Sequence, residues 1–591
     1  MCLTRLVVRL GWEFTVMRDN VRLAMQLEYL ANALEILGDE KRIIEDLRRV
    51  AKLIESCDQP VPDCLPSAQR IPWFRSQELH LRRLVEAVLR DGPIAVVRSR
   101  MGEDSPHILE ILRIRGISPE HLKRLSSVGV DSMSALQRYL DGGKAIPGLD
   151  SETARYVRRN VDTYLRERQG LLGSRARRVA SDWLERIREW SDGVEVFPVG
   201  AFRRCDDIVF AGAFVVSHPF PAEAMARFRE RASEEVELGR VRDHHLSFVF
   251  AGVLEATVAF VRPEEVPVAR FVWTGEAAHV SSVESHLESR GSLLRGYTLY
   301  RDGKPLAIQS EEELYRLAGL PFVPPELRQG RGEISLALRG ELPVLVESTD
   351  IRGDLHSHSV FSDGRDELSV MVQAAEQQGH SYLAITDHTQ NVRVAGGLAP
   401  SQVPSYLEAI DRVQQKHPNF RLLAGLEVDI LADGALDMSD AMLDRLDIVV
   451  AAVHGDFDQG SEEMMARLRR GLSHPRVNIM AHPTTRMLGQ RSPLAIDPLE
   501  LLDLLSETGV AAELNSNPRR LDLGHSLLPE AVSRGIPVVI STDAHSGIQI
   551  SNIRYGLCQA RRGGLTSADV LNTLEWDALR TRLNKGSKPH D

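Results

Sequence analysis

GDLHSH at residues 353–358 begins the part of the chain that decides its fold, because six more short apolar segments follow it at helix-length intervals. These segments are YLAITDH (382–388), RLLAGLEVD (421–429), DIVVAAVH (447–454), VNIMAHP (477–483), VAAELNSN (510–517) and PVVISTDAH (537–545). Apolar runs of this length, separated by amphipathic segments of helix length, are typical of right-handed βαβ units. Seven of them in succession predict a closed parallel barrel.

Side chains that bind metal ions cluster at the ends of these segments. They are His356, His358, Asp363, His388, Glu427, His454, His482, Asp543 and His545. In a parallel barrel the carboxyl ends of the strands meet at one mouth, where functional groups lie. We therefore expect all nine side chains to share one pocket. The sixth segment is the exception, since it ends in Asn515 and Asn517, which suit a supporting role behind the ligands.

A purely structural interpretation competes for each of these side chains, because a single histidine at a strand end is more often packed than bound to metal. Nine ligand-type residues in phase with seven strands reverse that preference, since buried imidazoles and carboxylates without partners are costly. Mixed imidazole and carboxylate ligands suit Zn, Mn or Fe and disfavour Ca and Mg. Nine ligands exceed the needs of one tetrahedral ion, so we expect two or three divalent ions, Mn or Zn with Fe as the alternative.

The motifs DLHSHSVFSDG, AITDH, GLEVDI, AAVH, MAHP and STDAH resemble those of the polymerase-and-histidinol-phosphatase (PHP) phosphoesterases, over residues 350–575. The resemblance implies a distorted seven-stranded (β/α)7 barrel with a trinuclear metal centre. It assigns one ion to His356, His358, Glu427 and Asp543, a second to the bridging Glu427 with His454 and His482, and the third to Asp363, His388 and His545. A metal-bound hydroxide held by Glu427, His356 and Asp543 would then attack phosphorus.

Three arginines are the nearest candidates for binding substrate phosphates: Arg491, Arg519 and Arg520. A guanidinium group binds a phosphate through paired N–H groups, which makes arginine a common choice for this task. An ordinary surface arginine is the competing interpretation at each of the three positions.

The composition places the chain among multidomain globular proteins. Its 591 residues are too many for one hydrophobic core and predict three or four domains. No run approaches the roughly 18 apolar residues of a membrane span, so we expect no membrane partner. The five cysteines fit neither a zinc nor a disulfide spacing, which predicts a reducing cytoplasm. Met17 is an alternative to Met1 as the initiator.

The first 190 residues have helical patterns, which we divide into an N-terminal helical domain (1–100) and a helix–hairpin–helix region (101–190). Two glycine-containing turns interrupt the second region, RGIS (115–118) and PGLD (147–150). A turn of this kind exposes backbone N–H groups at a helix start, where a phosphate can be held. This is the helix–hairpin–helix pattern, which predicts contact with DNA phosphates.

Gly116, Lys123 and Gly148 are accordingly the candidate DNA contacts. An all-helical linker without DNA contacts is the alternative, because the second turn ends in Asp150, whose charge repels phosphate. The net charge of −11 also argues against an electrostatic grip on nucleic acid by the whole surface.

Residues 191–335 have a mixed strand and helix pattern, and residues 336–591 form the barrel domain. The order of segments, with VGAFRR (199–204), WTGEAAH (273–279) and LPFVPPELRQGRGEI (320–334), resembles the bacterial family X DNA polymerases fused to a PHP domain. That resemblance covers nearly the whole chain. It implies an α+β nucleotidyltransferase-like palm in residues 191–335.

The polymerase motif of that family is broken in this chain. The family has a Gly–Ser pair before two arginines, and three aspartates on neighbouring strands hold the two Mg ions of nucleotidyl transfer. At the aligned positions this chain has Ala201, Ala211, Ala213 and Thr257. Asp206 and Asp207 lie in the turn before the strand and are weak substitutes. We therefore expect no polymerase activity.

These features predict a metal-dependent phosphoesterase that acts on DNA ends, as a 3′→5′ exonuclease or a 3′-end-processing enzyme of DNA repair. DNA with single-stranded or gapped ends is the expected partner, and we expect a monomer. A small-molecule phosphatase of the histidinol-phosphate type is the first alternative, favoured by the net charge of −11. A non-catalytic DNA-binding scaffold is the second alternative, and the complete ligand set argues against it.

Overall fold

The computed structural model describes residues 195–583 with gaps at 234, 251–253 and 458, and residues 132–192 with gaps at 150 and 169. Before residue 132 it describes 41–55, 83–88 and scattered shorter stretches. Contacts divide the chain into two units, Met1–Thr163 and Tyr164–Asp591. This division falls inside the region 101–190, and the domain boundaries drawn from the sequence stay predictions. None of the helices in the described ranges has both the length and the apolar character that a membrane crossing requires.

Helices dominate the described part of the first unit. Those with defined bounds are α1 (Lys41–Glu55), α2 (Met133–Asp141) and α3 (Ser151–Arg168), which contains the boundary between the units. Helix α2 begins at an N-cap, because the Ser132 side chain accepts a hydrogen bond from the Ala135 backbone N–H at 3.2 Å. The predicted helical character of this region therefore agrees with the described residues.

The second unit begins with a mixed sheet that has helices packed on it. Its elements are β1 (Leu171–Leu172), α4 (Gly173–Ser191), β2 (Glu195–Val199), β3 (Ile208–Val209), β4 (Ala211–Ser217), α5 (Pro221–Ala232), β5 (Glu237–Arg242), β6 (His245–Phe250) and β7 (Leu254–Val261). Strands β1 and β3 pair only with each other, and the other five form the mixed sheet in the order β2-β4-β7-β6-β5. In that sheet β4 and β7 are parallel and the other pairs are antiparallel. Trp183 of α4 packs against Phe214 and Phe248 of the sheet, which buries the palm core.

Strand β5 was not predicted. Its sequence, ELGRVR, is too polar to have the pattern of a buried strand. It forms the outer edge of the sheet, where charged side chains are favoured because they discourage pairing with another chain.

A smaller α+β segment follows the palm and has its own apolar core. Its elements are α6 (Val266–Thr274), α7 (Ala277–Ser289), β8 (Ser292–Arg295), β9 (Thr298–Arg301), β10 (Lys304–Leu306), α8 (Glu311–Leu317) and α9 (Glu333–Arg339). Strands β8, β9 and β10 form an antiparallel sheet. Phe271, Leu314 and Tyr315 are fully buried in the core between these elements.

The rest of the chain forms a parallel barrel with helices outside it. Its elements are β11 (Gly353–Asp354), α10 (Leu368–Gln377), β12 (Tyr382–His388), α11 (Val403–Gln414), β13 (Arg421–Asp429), α12 (Asp440–Leu443), β14 (Ile448–Ala452), α13 (Ser461–Leu472), β15 (Ile479–Met480), α14 (Pro498–Thr508), β16 (Ala511–Asn515), α15 (Leu528–Ser533), β17 (Val538–Ser541), α16 (Ile553–Arg562) and α17 (Trp576–Leu583). The seven strands pair in chain order and all in parallel. The predicted (β/α)7 architecture is confirmed.

Alternate residues of each strand enter two different cores, as the period of a strand requires. On β12, Leu383 and Ile385 face the outer helices, whereas Tyr382 and Ala384 face the barrel interior. Leu579 and Leu583 of α17 pack into the interior core at the end where Tyr382, the first residue of β12, lies. The opposite mouth, at the carboxyl ends of the strands, is left for the polar side chains.

A bridge beyond the regular strands closes the barrel. Ser357 pairs in parallel with Ala544, which joins the continuation of β11 to the continuation of β17. The His358 N–H donates to the Ala544 carbonyl at 2.8 Å, and the Asp543 N–H donates to the His356 carbonyl at 2.9 Å. The regular strands β11 and β15 are shorter than the segments 353–358 and 477–483 predicted from sequence. Their regular pairing stops before the residues that turn into the mouth, as the φ of 29° at His482 shows.

Candidate metal centre

The structure brings all nine predicted ligand side chains together at the barrel mouth. Three groups place ligand atoms within 4.8 Å of one another: His358, Asp363, His388 and His545; His356, His358 and Asp543; and His388, Glu427 and His454. His482 joins the same cluster, because its Nε2 lies 3.0 Å from Glu427 Oε1. The groups overlap at His358 and His388, so they are not the same partition as the one that the family resemblance implies.

Glu427 lies at the centre of the cluster, near the carboxyl end of β13. Its Oε2 is 2.9 Å from His388 Nδ1 and 3.3 Å from His356 Nε2. Its Oε1 is 3.0 Å from His482 Nε2 and 3.2 Å from His454 Nε2. His358 Nε2 also lies 3.6 Å from Oε2. Each carboxylate oxygen therefore faces a different set of imidazoles, which is the arrangement of a carboxylate that can bridge two ions.

Asp363 and His545 define a second part of the cluster. The Oδ2 of Asp363 lies 3.2 Å from His545 Nε2, and its Oδ1 lies 3.6 Å from His388 Nε2. The ring of His358 is stacked between those of His388 and His545, with centroid distances of 4.5 and 4.3 Å. The Nε2 atoms of His356 and His358 approach to 3.2 Å, close enough to share one ion.

The residues present fit divalent ions. Among the described residues, six buried ligand atoms make no hydrogen bond of acceptable geometry, although His388 Nδ1 and Glu427 Oε2 lie close together. They are His358 Nδ1, Asp363 Oδ1, His388 Nδ1, Glu427 Oε2, His454 Nδ1 and His482 Nδ1. Buried polar atoms without partners are rare because their desolvation is costly. Coordination would satisfy such atoms, and imidazole nitrogen with carboxylate oxygen is the donor set that suits Zn, Mn and Fe.

Electrostatics within the cluster keep its carboxylates ionised. Burial alone would raise the pKa of Glu427, but His388, His454 and His356 hold that pKa well below its ordinary value. Burial, together with His545 and His388, lowers the pKa of His358 to about 3. His454 differs, because Glu427 and Asp429 outweigh burial and raise its pKa to about 9. His358 is therefore ready to bind an ion at neutral pH, whereas His454 must first lose a proton.

Glu513, in the middle of β16, supports the cluster from behind and was missed in the sequence. Its Oε1 lies 2.7 Å from His356 Nδ1 and accepts a hydrogen bond from Ser541 Oγ at 2.7 Å. Its Oε2 accepts a hydrogen bond from the His482 backbone N–H. A carboxylate on the far nitrogen of a ligand histidine fixes the ring's orientation and raises its basicity. The one signal in the sequence was a glutamate among the apolar residues of a predicted strand.

Replacing Glu513 by glutamine is expected to weaken metal binding by about 10–100-fold, because the amide does not hold the His356 ring as a carboxylate does. A competition titration with a chromophoric chelator measures the effect. Glu507→Gln is the matched control, since Glu507 is exposed and pairs with Arg469 on the outer helices. Equal metal affinity of the Glu513 variant and the wild type would contradict the role.

Asn515 contacts the cluster as its position in the sixth segment predicts. Its Nδ2 donates to Asp543 Oδ2 at 3.2 Å. Asn517 instead shapes the following loop, because its Oδ1 accepts from the Arg519 N–H at 3.1 Å. The two asparagines therefore support different groups.

Of the three arginines, Arg520 lies beside a predicted metal ligand. Its Nε is 3.5 Å from Asp543 Oδ2, and its Nη1 is buried with no hydrogen-bond partner among the described residues. Arg491 donates twice to the Thr485 carbonyl, at 3.1 and 2.9 Å, and lies over the Phe457 ring. The Arg519 carbonyl accepts from the Leu488 N–H at 2.7 Å. Phosphate binding by any of the three stays a prediction.

The candidate DNA contacts are only partly covered. Gly116 and Lys123 lie outside the described residues. Gly148 lies in the turn between α2 and α3 with a φ of 92°, a conformation that favours glycine. Its carbonyl oxygen lies 3.3 Å from His121 Nε2.

The two strands that align with the broken polymerase motif pair directly and carry few carboxylates. Ala213 of β4 lies directly opposite Thr257 of β7, and Ala211 lies opposite Glu255. On these two described strands Glu255 is the one carboxylate, whereas a two-ion polymerase site needs three. The two arginines of the motif form ion pairs within the protein: Arg203 with Glu311 at 2.6 Å, and Arg204 with Asp206 at 2.7 Å.

Comparisons with known proteins match separate parts of the chain to two families. Residues 269–329 match the DNA polymerase beta thumb, and residues 354–517 match the PHP domain. The DNA polymerase/3′-5′ exonuclease PolX of Bacillus subtilis (strain 168) is 28% identical over 562 residues, which cover 94% of this chain and 97% of that protein. Probable phosphatases of Syntrophotalea carbinolica and Thermoanaerobacter sp. (strain X514) are each 25% identical, covering 38% and 37% of this chain and 92% and 89% of their own lengths.

Proposed function

Because this chain belongs to the bacterial family X DNA polymerases that carry a C-terminal PHP domain, we propose that it is a metal-dependent hydrolase of phosphodiester bonds at DNA ends. The observation that carries the proposal is the convergence of imidazole and carboxylate groups at one barrel mouth. The sequence of the palm also favours hydrolysis over polymerisation, since Ala211, Ala213 and Thr257 cannot hold the ions of nucleotidyl transfer. The palm then serves to place DNA or to support the barrel.

Two or three ions fit the cluster, and we favour Mn or Zn, with Fe as the alternative. Three ligand groups are present, and the group around Asp363 shares His358 with one of the others and His388 with the other, which supports more than one ion. When bound, the ions supply an activated water as the nucleophile and neutralise charge on the phosphate oxygens.

The protein's own side chains orient these components. Glu427 presents one oxygen to His388 and His356 and the other to His482 and His454, so it holds the two halves of the site in register. Asp429 fixes the backbone at His454, since its Oδ1 accepts a hydrogen bond from the His454 N–H at 3.0 Å. Arg520, beside Asp543, would bind a phosphate oxygen next to the ligands.

A 3′→5′ direction on DNA ends is the favoured activity, because the Bacillus subtilis relative that spans 94% of this chain is named a 3′-5′ exonuclease. Hydrolysis of small phosphomonoesters is the second candidate. It is favoured by the probable phosphatases, which match 38% and 37% of this chain.

The test uses a 5′-end-labelled oligonucleotide, purified full-length protein and Mn, with and without added deoxynucleotides. We expect a ladder shortened from the 3′ end and no extension when deoxynucleotides are present, because the palm lacks the carboxylates of polymerisation. Gel electrophoresis with the two reactions in adjacent lanes shows both shortening and extension of the labelled strand.

The same preparation is assayed on a small phosphomonoester. If that compound is hydrolysed and the DNA stays intact, the phosphatase function is favoured and the nuclease proposal is rejected. Extension of the labelled strand would contradict the assignment of a degenerate polymerase site.

A further inference from the structure

The turn before β3 directs its carboxylates toward the barrel rather than toward the polymerase site. Asp207 Oδ1 lies 3.2 Å from Arg562 Nη1, and its Oδ2 lies 3.8 Å from Arg486 Nη2 and 3.9 Å from His525 Nδ1. All three partners belong to the barrel domain. Burial alone would raise the pKa of Asp207, but His525, Arg562 and Arg486 lower it. The palm therefore inserts a buried negative charge beside two arginines of the barrel.

Arg486 connects that charge to the loop formed by residues 517–522, hereafter the arginine loop. Its Nε donates to the Arg520 carbonyl at 3.0 Å, and its Nη2 donates to the Leu521 carbonyl at 2.5 Å. The planar guanidinium can face Asp207 and both carbonyls only in a restricted set of orientations. The ion pair with Asp207 therefore adds a charged contact to the two backbone carbonyls that Arg486 binds.

An apolar contact supports the same loop from the same side. Ile208, the residue after Asp207, packs with Leu521 and Leu488 in one buried cluster that also contains Tyr555. Leu521 has a φ of 45°, which is unfavourable for a branched side chain and persists only where the surroundings hold it. The palm thus contacts the arginine loop through one charged path and one apolar path.

The arginine loop ends at the metal cluster. Arg520 Nε lies 3.5 Å from Asp543 Oδ2, and its Nη1 is buried without a hydrogen-bond partner in the described part of the chain. An unsatisfied guanidinium N–H beside a metal ligand is the group expected for a substrate phosphate oxygen. A shift of the Arg520 backbone would move that group.

We propose that Asp207 of the palm is a positioning residue for Arg520, acting through Arg486 and the backbone of residues 520 and 521, so that the degenerate palm sets the phosphate affinity of the barrel. This inference rests on the proposed hydrolysis of DNA ends. It gives the palm a role in the barrel's reaction that does not require polymerisation.

The experiment is a double-mutant cycle in the full-length protein with Asp207→Asn, Arg520→Ala and the double variant. We expect Asp207→Asn to raise KM for the oligonucleotide roughly threefold to tenfold with kcat nearly unchanged. In the Arg520→Ala background the same change is expected to have no further effect, because its target is gone. Asp192→Asn is the matched control, since Asp192 pairs with Arg227 and Arg231 elsewhere in the palm.

Hydrogen exchange of the arginine loop supplies a readout that does not depend on catalysis. We expect faster exchange at residues 519–523 in Asp207→Asn than in wild type or Asp192→Asn, with β13 unchanged. Additive effects on KM, or unchanged exchange at the loop, would overturn the inference. If Asp207→Asn does not fold, Arg486→Lys tests the same path, because lysine keeps the charge and loses the paired donors.

The two proposals fail separately. Wild-type protein that leaves DNA intact overturns the proposed function, and the exchange experiment still decides whether Asp207 supports the loop. Normal exonuclease activity with wild-type kinetics in Asp207→Asn overturns the inference and leaves the proposed function standing.

Discussion

His356→Ala is expected to abolish hydrolysis of DNA ends, with a loss of at least about 10³-fold in kcat/KM. The reason is that His356 is fully buried between Glu427, at 3.3 Å, and Glu513, at 2.7 Å. Its removal takes away an ion ligand and leaves two buried carboxylates without their shared partner. Loss of ion-based charge stabilisation costs several kcal/mol of transition-state energy, and each 1.36 kcal/mol is about tenfold in rate.

The measurement is the initial rate on a labelled oligonucleotide after chelation and reloading of each protein with Mn. Asp543→Ala is expected to behave in the same way, since Asp543 lies in the same ligand group as His356 and His358. His417→Ala is the control, because His417 lies on the outside of the same domain beside Glu376. Full activity of reloaded His356→Ala protein would remove His356 from the site.

Chelation of the wild-type protein is the second change with a large expected effect. We expect activity to fall to background and to return when Mn is added, because the proposed reaction needs the ions to activate water and to neutralise charge on the phosphate. We also expect chelation to lower the melting temperature of the barrel. A free ion concentration of about 100 times the dissociation constant stabilises the folded state by about 2.7 kcal/mol, and chelation removes that contribution. Residual activity at full chelation, checked by metal analysis, would contradict a metal-dependent reaction.

The pH dependence of reloading follows from His454. Its pKa in the ion-free protein is raised to about 9, chiefly by Glu427 and Asp429 acting against burial. The protonated ring cannot bind an ion, so a proton competes with the ion at every pH below about 9. Through this group alone, apparent metal affinity is expected to fall about tenfold for each pH unit below that value.

Chelator competition between pH 6.5 and 8.5, as an experimental range of about two units, measures that slope. Burial lowers the pKa of His358 to about 3, so this residue adds no slope in the same range. Metal affinity that does not change with pH would show that His454 is not a ligand.

The ligands of the barrel could be predicted because their positions follow from chain order and strand period. His388 ends β12 and Glu427 lies near the end of β13, so parallel pairing brings them side by side in register. Ala213 and Thr257 could be aligned for the same reason, since their strands pair directly. Local pattern and sheet geometry were sufficient in both cases.

The groups that could not be predicted act over long sequence distances or from inside a strand. No sequence motif marks Glu513, which lies among apolar residues of a strand. Its role becomes apparent only from the structure, where it contacts His356. Asp207 and Arg486 lie far apart in sequence, and their contact depends on how the palm packs on the barrel. Strand β5 could not be predicted because its sequence is charged. Its position at the edge of the sheet explains that charge.

Closure of the barrel at Ser357 and Ala544 has a consequence for the chain during its synthesis. Four ligands flank that seam: His356 and His358 from the first strand, and Asp543 and His545 from the last. A nascent chain on the ribosome therefore holds an incomplete set until its final strand has emerged and paired with the first. A chain that stops before its last strand would carry most of the imidazoles of the cluster and would lack Asp543 and His545.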